Sequence, residues 1–365
     1  LPWSTIRALG GWRTAPHVLP PLGGSTALLS FVATGDSLYR YVRFRGRTRR
    51  LAPLSRPRVD KLLITLRDEL EFGSLDMKAL VPLLRRAYSL FVAEALPPKA
   101  RHVLIAPDGL LRFVPIHAFL APMPSGKLQF LISRVDVAYV PCAAFGRRSL
   151  IPRHLTLVVP SYGPRGHRHP VQGAAIEARA VAALARGRGD PEAAFGGAVN
   201  LFQGAAATPA SLFAALARPR GVVHFAGHGL ADLRPGTSPE LIFPDLDSGL
   251  SVRRLTQGFV RASLVVLASC TTAYVARFRG NPRGVVKSNL AEALLAGGAG
   301  AVVAASWGVK DGQSAARMHV FYRHLHTLGP AGALALAQRD RIARLRPPHP
   351  RYWAFYAVYG APGWR

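Results

Sequence analysis

The sequence predicts an α/β protein with a mostly parallel sheet. In its second half, short apolar runs typical of strands alternate with Ala- and Leu-rich runs typical of helices. Two of the strands, at 221–227 and 263–269, are almost wholly apolar, as strands are when helices cover both faces of a sheet. Thr208 followed by Pro209 predicts a helix start, because Thr is a good N-cap and Pro is tolerated in the first turn.

The first half predicts strands followed by helices. Residues 25–45 alternate apolar and polar side chains around a Gly-Asp turn, which predicts a β-hairpin. Residues 58–98 have helical apolar spacing that is interrupted at Gly73. Residues 102–120 predict a buried strand, a turn and a second strand or helix start, and residues 135–141 predict a further strand.

A new structural unit is expected to begin at His154, where strands and helices start to alternate. Its remaining predicted elements are strands at 155–163 and 299–307 and helices at 174–185, 208–217 and 289–298.

The chain is strongly basic, with 47 Lys and Arg against 19 Asp and Glu and a formal charge of +28. Such an excess suggests nucleic acid, an anionic surface or an acidic partner. The arginines are scattered, however, without the zinc spacing or aromatic interleaving of a nucleic-acid module. We therefore expect a solvated basic surface that binds nucleic acid weakly, if at all, and with steep salt dependence.

Signals for membrane insertion, secretion and cofactor binding are missing from the sequence. No apolar run reaches the ~18 residues of a membrane span, and the first residues lack the features of a secretory signal. Two cysteines cannot form a disulfide framework, and no motif has the spacing of metal ligands. These observations predict a soluble cytoplasmic protein that needs no metal or other cofactor.

Two predicted strands end in reactive residues. The strand at 221–227 leads into His228, and the strand at 263–269 leads into Cys270. In an open parallel sheet, ligands bind outside the carboxyl ends of the strands, and neighbouring strands lie about 5 Å apart. If the two strands are adjacent, His228 can act as a general base for a Cys270 nucleophile.

The chemistry of such a pair also predicts its neighbours. A thiolate is the attacking species, and the backbone N–H groups of Gly229 and Cys270 are natural donors for the oxyanion that follows. His224 is expected to be structural or to support the site, and Cys142 to be a packed side chain. Taken singly, His228 and Cys270 also fit structural roles, so the residues alone leave the catalytic interpretation open.

The blocks HFAGHG (224–229) and LVVLASCTTA (264–273) resemble the two active-site blocks of the CHAT peptidases, the separase-like branch of the caspase superfamily. Thr271 stands where an acidic residue commonly follows the Cys in that family. Four further blocks resemble the family pattern in the same order: VLIAPDGLLRFVPIHAF (103–119), VQGAAIEARAVAAL (171–184), AEALLAGGAGAVVAASWGVKD (291–311) and HPRYWAFYAVYG (349–360).

This resemblance implies a caspase-like three-layer sandwich with a mostly parallel sheet. It implies an N-terminal extension at 1–24, a degenerate caspase-like lobe at 25–150 and a catalytic caspase-like lobe at 151–365, the last two together forming the CHAT domain. It also implies that His228 is the base and Cys270 the nucleophile of a cysteine endopeptidase.

The resemblance further implies a protein or peptide substrate and a role as an effector in bacterial defence or regulated death. An activating partner or an upstream TPR-type domain would fit the family. Two alternatives stay open: a catalytically silent scaffold that uses its basic surface, and a nucleic-acid binder or nuclease that rests on charge alone.

Substrate specificity is predicted from the segment after the strand at 299–307. Ala268 occupies the position at which related proteases carry an Asp that selects a basic side chain. The stretch WGVKD (307–311) resembles instead a separase stretch whose acid pairs with arginine. The expected substrate-binding residues are Ser306, Trp307 and Asp311. Asp311 could alternatively cap a helix that begins near Gly312.

Overall fold

We analysed a computed structural model of the chain. It describes residues 22–142, 145, 150–161, 171–230, 239–244, 249–256, 258–273, 289–309 and 311–363. The basic segment that follows Cys270 lies outside these residues at 274–288, as does the side chain of Asp311.

The described residues group into two compact units. The N-terminal unit comprises the described parts of Ala15–Gly146 together with Gln338–Ala357, and the central unit comprises those of Arg147–Ala337 together with Val358–Arg365. The lobes expected at 25–150 and 151–365 stay a prediction.

Five strands of the N-terminal unit lie side by side in the order β3-β2-β1-β4-β7. The first three are antiparallel, whereas β4 runs parallel to β1 and to β7. A separate pair, β5 and β6, is antiparallel. The strands are β1 (Thr26–Thr34), β2 (Ser37–Phe44), β3 (Arg47–Ser55), β4 (His102–Ala106), β5 (Leu120–Pro122), β6 (Leu128–Phe130) and β7 (Asp136–Tyr139).

The predicted helices of this unit are confirmed as α1 (Arg56–Glu71) and α2 (Met77–Tyr88). Asp76 caps α2 by accepting a hydrogen bond from the backbone N–H of Lys78. Residues 102–120, expected to hold a second strand or helix, form only short turns after β4. Single helical turns of this unit occupy Ser89–Ala93, Gly109–Phe113, Ile116–Ala118, Leu131–Ser133 and Pro350–Tyr352.

The core of the N-terminal unit contains a buried polar cluster around His117. Its Nδ1 lies 2.9 Å from the hydroxyl of Tyr139, and its Nε2 lies 3.1 Å from the carbonyl oxygen of Ala354. Gln338 contacts the ring and donates a 2.9 Å hydrogen bond to the carbonyl of Tyr356. Burial lowers the pKa of His117 to about 4, so the ring is neutral near pH 7.

The central unit has a parallel sheet in the order β15-β14-β10-β8-β9. Three two-residue strands, β11, β12 and β13, follow β10 in the sequence and form a separate small antiparallel sheet. The strands are β8 (His154–Val159), β9 (Val199–Gln203), β10 (Gly221–Ala226), β11 (Gly229–Leu230), β12 (Glu240–Leu241), β13 (Leu250–Ser251), β14 (Leu264–Ala268), β15 (Ala301–Ala305) and β16 (Tyr356–Gly360), the last divided between the units.

The helices of the central unit start and stop as their sequences predict. Thr208 forms a capping box with Ser211, and Asn289 accepts a hydrogen bond from the N–H of Glu292. The helix that begins after Asn289 ends at Gly298, which has φ 128°, a conformation that only glycine adopts readily. The helices are α3 (Gln172–Ala185), α4 (Pro209–Leu216), α5 (Val252–Thr256), α6 (Leu290–Gly297) and α7 (Asp311–Arg344).

Helix α7 consists of two helical segments. Gly329 has φ 68° and ψ 177°, outside the helical region, and Pro330 follows it. Across the described ranges, no helix has both the length and the apolar composition needed to cross a bilayer.

Candidate functional site

The carboxyl ends of β10 and β14 bring the two predicted catalytic residues to one edge of the sheet. The strands are adjacent and parallel, and their register pairs Ala226 with Ala268. Each strand leads within two residues into a predicted catalytic residue, β10 into His228 and β14 into Cys270. Both side chains are half-buried, so they border solvent at the end of an otherwise buried sheet.

Gly229 packs directly against the turn that carries Cys270. A Cβ atom at this position would overlap the carbonyl oxygen of Cys270 and come within 3.2 Å of side-chain atoms of Ser269 and Thr272. Only glycine allows this close approach of the two backbones. The residue after His228 therefore touches the main chain of Cys270.

The sulfur of Cys270 lies over the backbone of Val309. The N–H of Val309 donates a 3.2 Å hydrogen bond to Sγ, and the carbonyl oxygen of Val309 lies 3.6 Å from the same sulfur. The N–H contact stabilises negative charge on the sulfur, and the carbonyl accepts the thiol proton when the sulfur is protonated. Sequence reasoning missed Val309, because a backbone contact leaves no residue-type signal.

The turn after Cys270 is strained and anchored. Thr271 has φ 56°, a left-handed conformation that β-branched residues rarely adopt. Its N–H donates to the carbonyl of Trp307 at 3.4 Å, and the hydroxyl of Thr272 accepts a 3.0 Å hydrogen bond from the N–H of Ala305. The end of β15 thus holds the backbone that presents Cys270.

The residues predicted to bind substrate lie on this same segment. Ser306 is half-buried and Trp307 is almost fully buried, just before the Val309 backbone that touches the sulfur. Asp311 is the first residue of α7. The structure thus brings Ser306 and Trp307 to the Cys270 turn, whereas the direction of the Asp311 side chain lies outside the described atoms.

His224 belongs to a buried polar cluster inside the central unit. Its Nε2 lies 3.0 Å from a carboxylate oxygen of Glu177 on α3. Its Nδ1 lies 3.0 Å from the hydroxyl of Tyr322 on α7. Burial and the nearby Glu177 raise the pKa of Tyr322 well above its usual value, so the phenol stays protonated. Glu177 lies in a block that resembled the CHAT family, but no role was predicted for it.

The sequence also made expectations about metal binding and about the second cysteine. Within the parts of the chain that the structure describes, no group of three or more His, Cys, Asp or Glu side chains could hold a metal ion. Cys142 lies after β7 and is half-buried, as Cys270 is, rather than fully packed in the core.

Comparison with solved structures identifies the class of fold. Separase of Saccharomyces cerevisiae, in its complex with securin, superposes with a TM-score of 0.56 at 9% identity, covering 92% of this chain and 30% of the separase chain. Gingipain R, an Arg-specific cysteine proteinase, gives 0.47 at 10% identity and covers 84% of this chain and 75% of its own. The pro- and mature domains of RgpB from Porphyromonas gingivalis give 0.46 at 10% identity, covering 84% and 77%. The fold is therefore the caspase-like α/β fold of separase, as the sequence predicted.

Comparison of the sequence with family models identifies the family. The family model described as the CHAT domain matches residues 78–361, more than half of the chain. The protein therefore belongs to the CHAT domain family, and the predicted resemblance is confirmed. The comparison with curated proteins found no match.

Proposed function

We propose that this protein is a cysteine endopeptidase in which His228 is the general base and Cys270 the nucleophile. The observation that carries the proposal is the paired edge of β10 and β14, two adjacent parallel strands that lead within two residues into His228 and Cys270. Membership of the CHAT family and the caspase-like fold support the reaction class. The contact of Gly229 with the Cys270 carbonyl supports a close approach of the neighbouring His228 to Cys270.

In the proposed reaction, His228 takes the thiol proton of Cys270, and the thiolate attacks the carbonyl carbon of the scissile peptide bond. The N–H groups of Gly229 and Cys270 stabilise the resulting oxyanion. The intermediate collapses to a thioester as His228 gives its proton to the departing amine. His228 then deprotonates a water molecule, which attacks the thioester, releases the carboxylic acid and restores the thiol.

The Val309 backbone supports the nucleophile in this scheme. Its N–H, 3.2 Å from the sulfur, stabilises the negative charge that develops on Sγ as His228 removes the thiol proton. Val309 lies two residues after Trp307 in the same segment. Substrate that binds along Ser306 and Trp307 would therefore lie close to the sulfur of Cys270.

The test is cleavage of a peptide library by the wild type and single variants. We expect Cys270→Ala and His228→Ala each to lower kcat/KM by about 10³-fold or more, since residues acting as one unit fail singly about as badly as together. Cys142→Ala is the matched control and should retain activity. Near wild-type cleavage by Cys270→Ala would overturn the dyad, whereas a folded wild type that cleaves nothing would favour a silent scaffold.

We further propose that Asp311 selects a basic side chain immediately before the scissile bond. A carboxylate in a partly desolvated pocket pairs bidentately with a guanidinium. Peptides that differ only in Arg, Leu or Asp at that position should be cut in the order Arg, Leu, Asp, and Asp311→Ala should lower the Arg preference by about tenfold. If Leu peptides are cut best and Asp311→Ala changes nothing, Asp311 serves the start of α7 instead.

The biological setting we propose follows the family. The substrate is a partner protein, cleavage serves bacterial defence or regulated death in the cytoplasm, and an activating partner or TPR-type domain controls it. In this proposal residues 151–365 are the catalytic lobe and residues 25–150 a degenerate one.

A further inference from the structure

One surface of the N-terminal unit is not explained by proteolysis. In the antiparallel sheet of β1, β2 and β3, one face is buried, and its core includes Leu29, Phe31, Val42 and Leu51. The opposite face, which we call the open face, bears side chains that alternate with these. It contains the buried Leu28, opposite Arg43, and the half-buried or exposed residues Ser30, Val32, Tyr39, Tyr41, Arg43, Thr48 and Arg50.

The strand register groups the aromatic and basic side chains of the open face. Tyr41 pairs across the strands with Arg50 on one side and with Ser30 on the other. Val32, 46% exposed, pairs with Tyr39. The guanidinium of Arg50 lies 5.0 Å from the ring centre of Tyr39. Two tyrosines and two arginines therefore share one solvent-facing surface.

Strands β1, β2 and β3 contain basic side chains but no acidic ones. Between Ser37 and Arg58 the sequence has eight arginines and no Asp or Glu. Arg40 and Arg56 pair with Glu94 and Asp60, and Arg45 and Arg49 donate hydrogen bonds to backbone carbonyls. The stretch also contains Arg43, Arg47, Arg50 and Arg58.

From these observations we propose that the open face binds single-stranded nucleic acid. Phosphates would contact the arginines, and unpaired bases would stack on Tyr39 and Tyr41. Aromatic rings on an exposed antiparallel sheet, bordered by guanidinium groups, suit unstacked bases, which a duplex keeps inside. The spacing of Tyr and Arg along YRYVRFRGRTRR is the interleaving that we judged missing from the sequence, because only the strand register puts these residues on one face.

The test measures binding of a fluorescein-labelled oligothymidylate of about twelve nucleotides by fluorescence anisotropy across a salt series. The full-length chain carries Cys270→Ala, so the result does not depend on proteolysis. Arg43→Gln with Arg50→Gln should weaken binding at least tenfold at low salt and reduce the slope of log K against log salt by about 1.4. Arg85→Gln with Arg86→Gln, which removes two exposed arginines of α2, is the charge-matched control and should change affinity less than twofold.

The tyrosines test whether bases are recognised. Tyr39→Leu with Tyr41→Leu should weaken oligonucleotide binding about fivefold or more while leaving the salt slope unchanged. The same variant should bind inorganic polyphosphate, which has no bases, as the parent does, and this also shows that the sheet is intact.

Three results would overturn the proposal. One is an equal loss of binding in the Arg43→Gln, Arg50→Gln variant and in its α2 control, which would mean diffuse charge attraction. Another is an unchanged oligonucleotide affinity in the tyrosine variant. The third is displacement of the oligonucleotide by polyglutamate at equal charge concentration, which would identify the open face as a site for an acidic protein.

Discussion

Each unit buries a histidine in its core, and the two histidines have different partners. His117 of the N-terminal unit contacts a carbonyl oxygen, a phenol and an amide, all of them uncharged. His224 of the central unit contacts the carboxylate of Glu177 as well as the Tyr322 hydroxyl. The first cluster joins uncharged groups, whereas the second places a carboxyl group from a helix against a strand that leads to the candidate site.

The residues that follow the strands also have different roles in the two units. After β4, the carboxylate of Asp108 accepts hydrogen bonds from the N–H groups of Ala33 and Gly109, so it is used in holding the turn. After β10 and β14 come His228 and Cys270, half-buried at the sheet edge. Similar strand-to-turn connections thus serve structure in one unit and expose reactive groups in the other.

The largest expected effect comes from removing the carboxyl group that contacts His224. Glu177→Ala should lower the free energy of unfolding by about 3 kcal/mol or more, because it leaves the buried Nε2 of His224 without its polar partner. Gln338→Ala, in the neutral cluster, should lower it by about 1–3 kcal/mol. Urea denaturation of both variants measures the difference, and equal effects would show that charge does not distinguish the two clusters.

A pH effect of intermediate size should belong to the N-terminal unit. The pKa of His117 is lowered from 6.5 to about 4, so between these values the unfolded chain binds a proton that the folded chain does not. Stability should therefore fall by roughly 3 kcal/mol as the pH drops from 6.5 to 4. Burial also lowers the pKa values of His326 and His349, which adds loss of the same sign.

Urea midpoints at both ends of this pH range, for His117→Gln and the wild type, isolate the contribution of His117. The variant keeps a polar side chain but should lose that part of the pH dependence. The exposed His319→Gln is the control and should follow the wild type. A variant as pH-sensitive as the wild type would assign the effect to other groups.

The smallest expected effect is a difference in reaction rate between the two cysteines. Both are half-buried, so exposure alone predicts similar rates with iodoacetamide. If His228 acts as the proposed base and the N–H of Val309 stabilises charge on the sulfur, Cys270 should react at least about tenfold faster than Cys142. Mass spectrometry after brief labelling measures both sites, and equal labelling would identify Cys270 as a structural residue.

Regular elements could be predicted wherever the side-chain pattern is local. The hairpin at 25–45, the strand before His228 and the Thr208 cap are all confirmed. Strand β3 was not predicted, because its arginine-rich sequence has too few apolar residues to alternate. The short strands β11 to β13 were also missed, since pairs of two residues carry no periodicity.

The candidate site could be predicted only in part, for a related reason. His228 and Cys270 were identifiable because each follows a strong strand signal. The Val309 contact and the left-handed Thr271 depend on backbone positions set by residues far apart in sequence. Glu177 was hidden inside an Ala-rich helix, where a single acid usually faces solvent.

The division of the chain between the units affects how the protein is made. Gln338, Trp353 and Tyr356 are buried parts of the N-terminal unit, yet the ribosome synthesises them after nearly all of the central unit. Domains generally fold as units while synthesis proceeds. Residues 22–142 therefore stay incomplete, with apolar surface uncovered, until residues 338–357 leave the exit tunnel. Such transiently exposed apolar surface is what chaperones protect during synthesis.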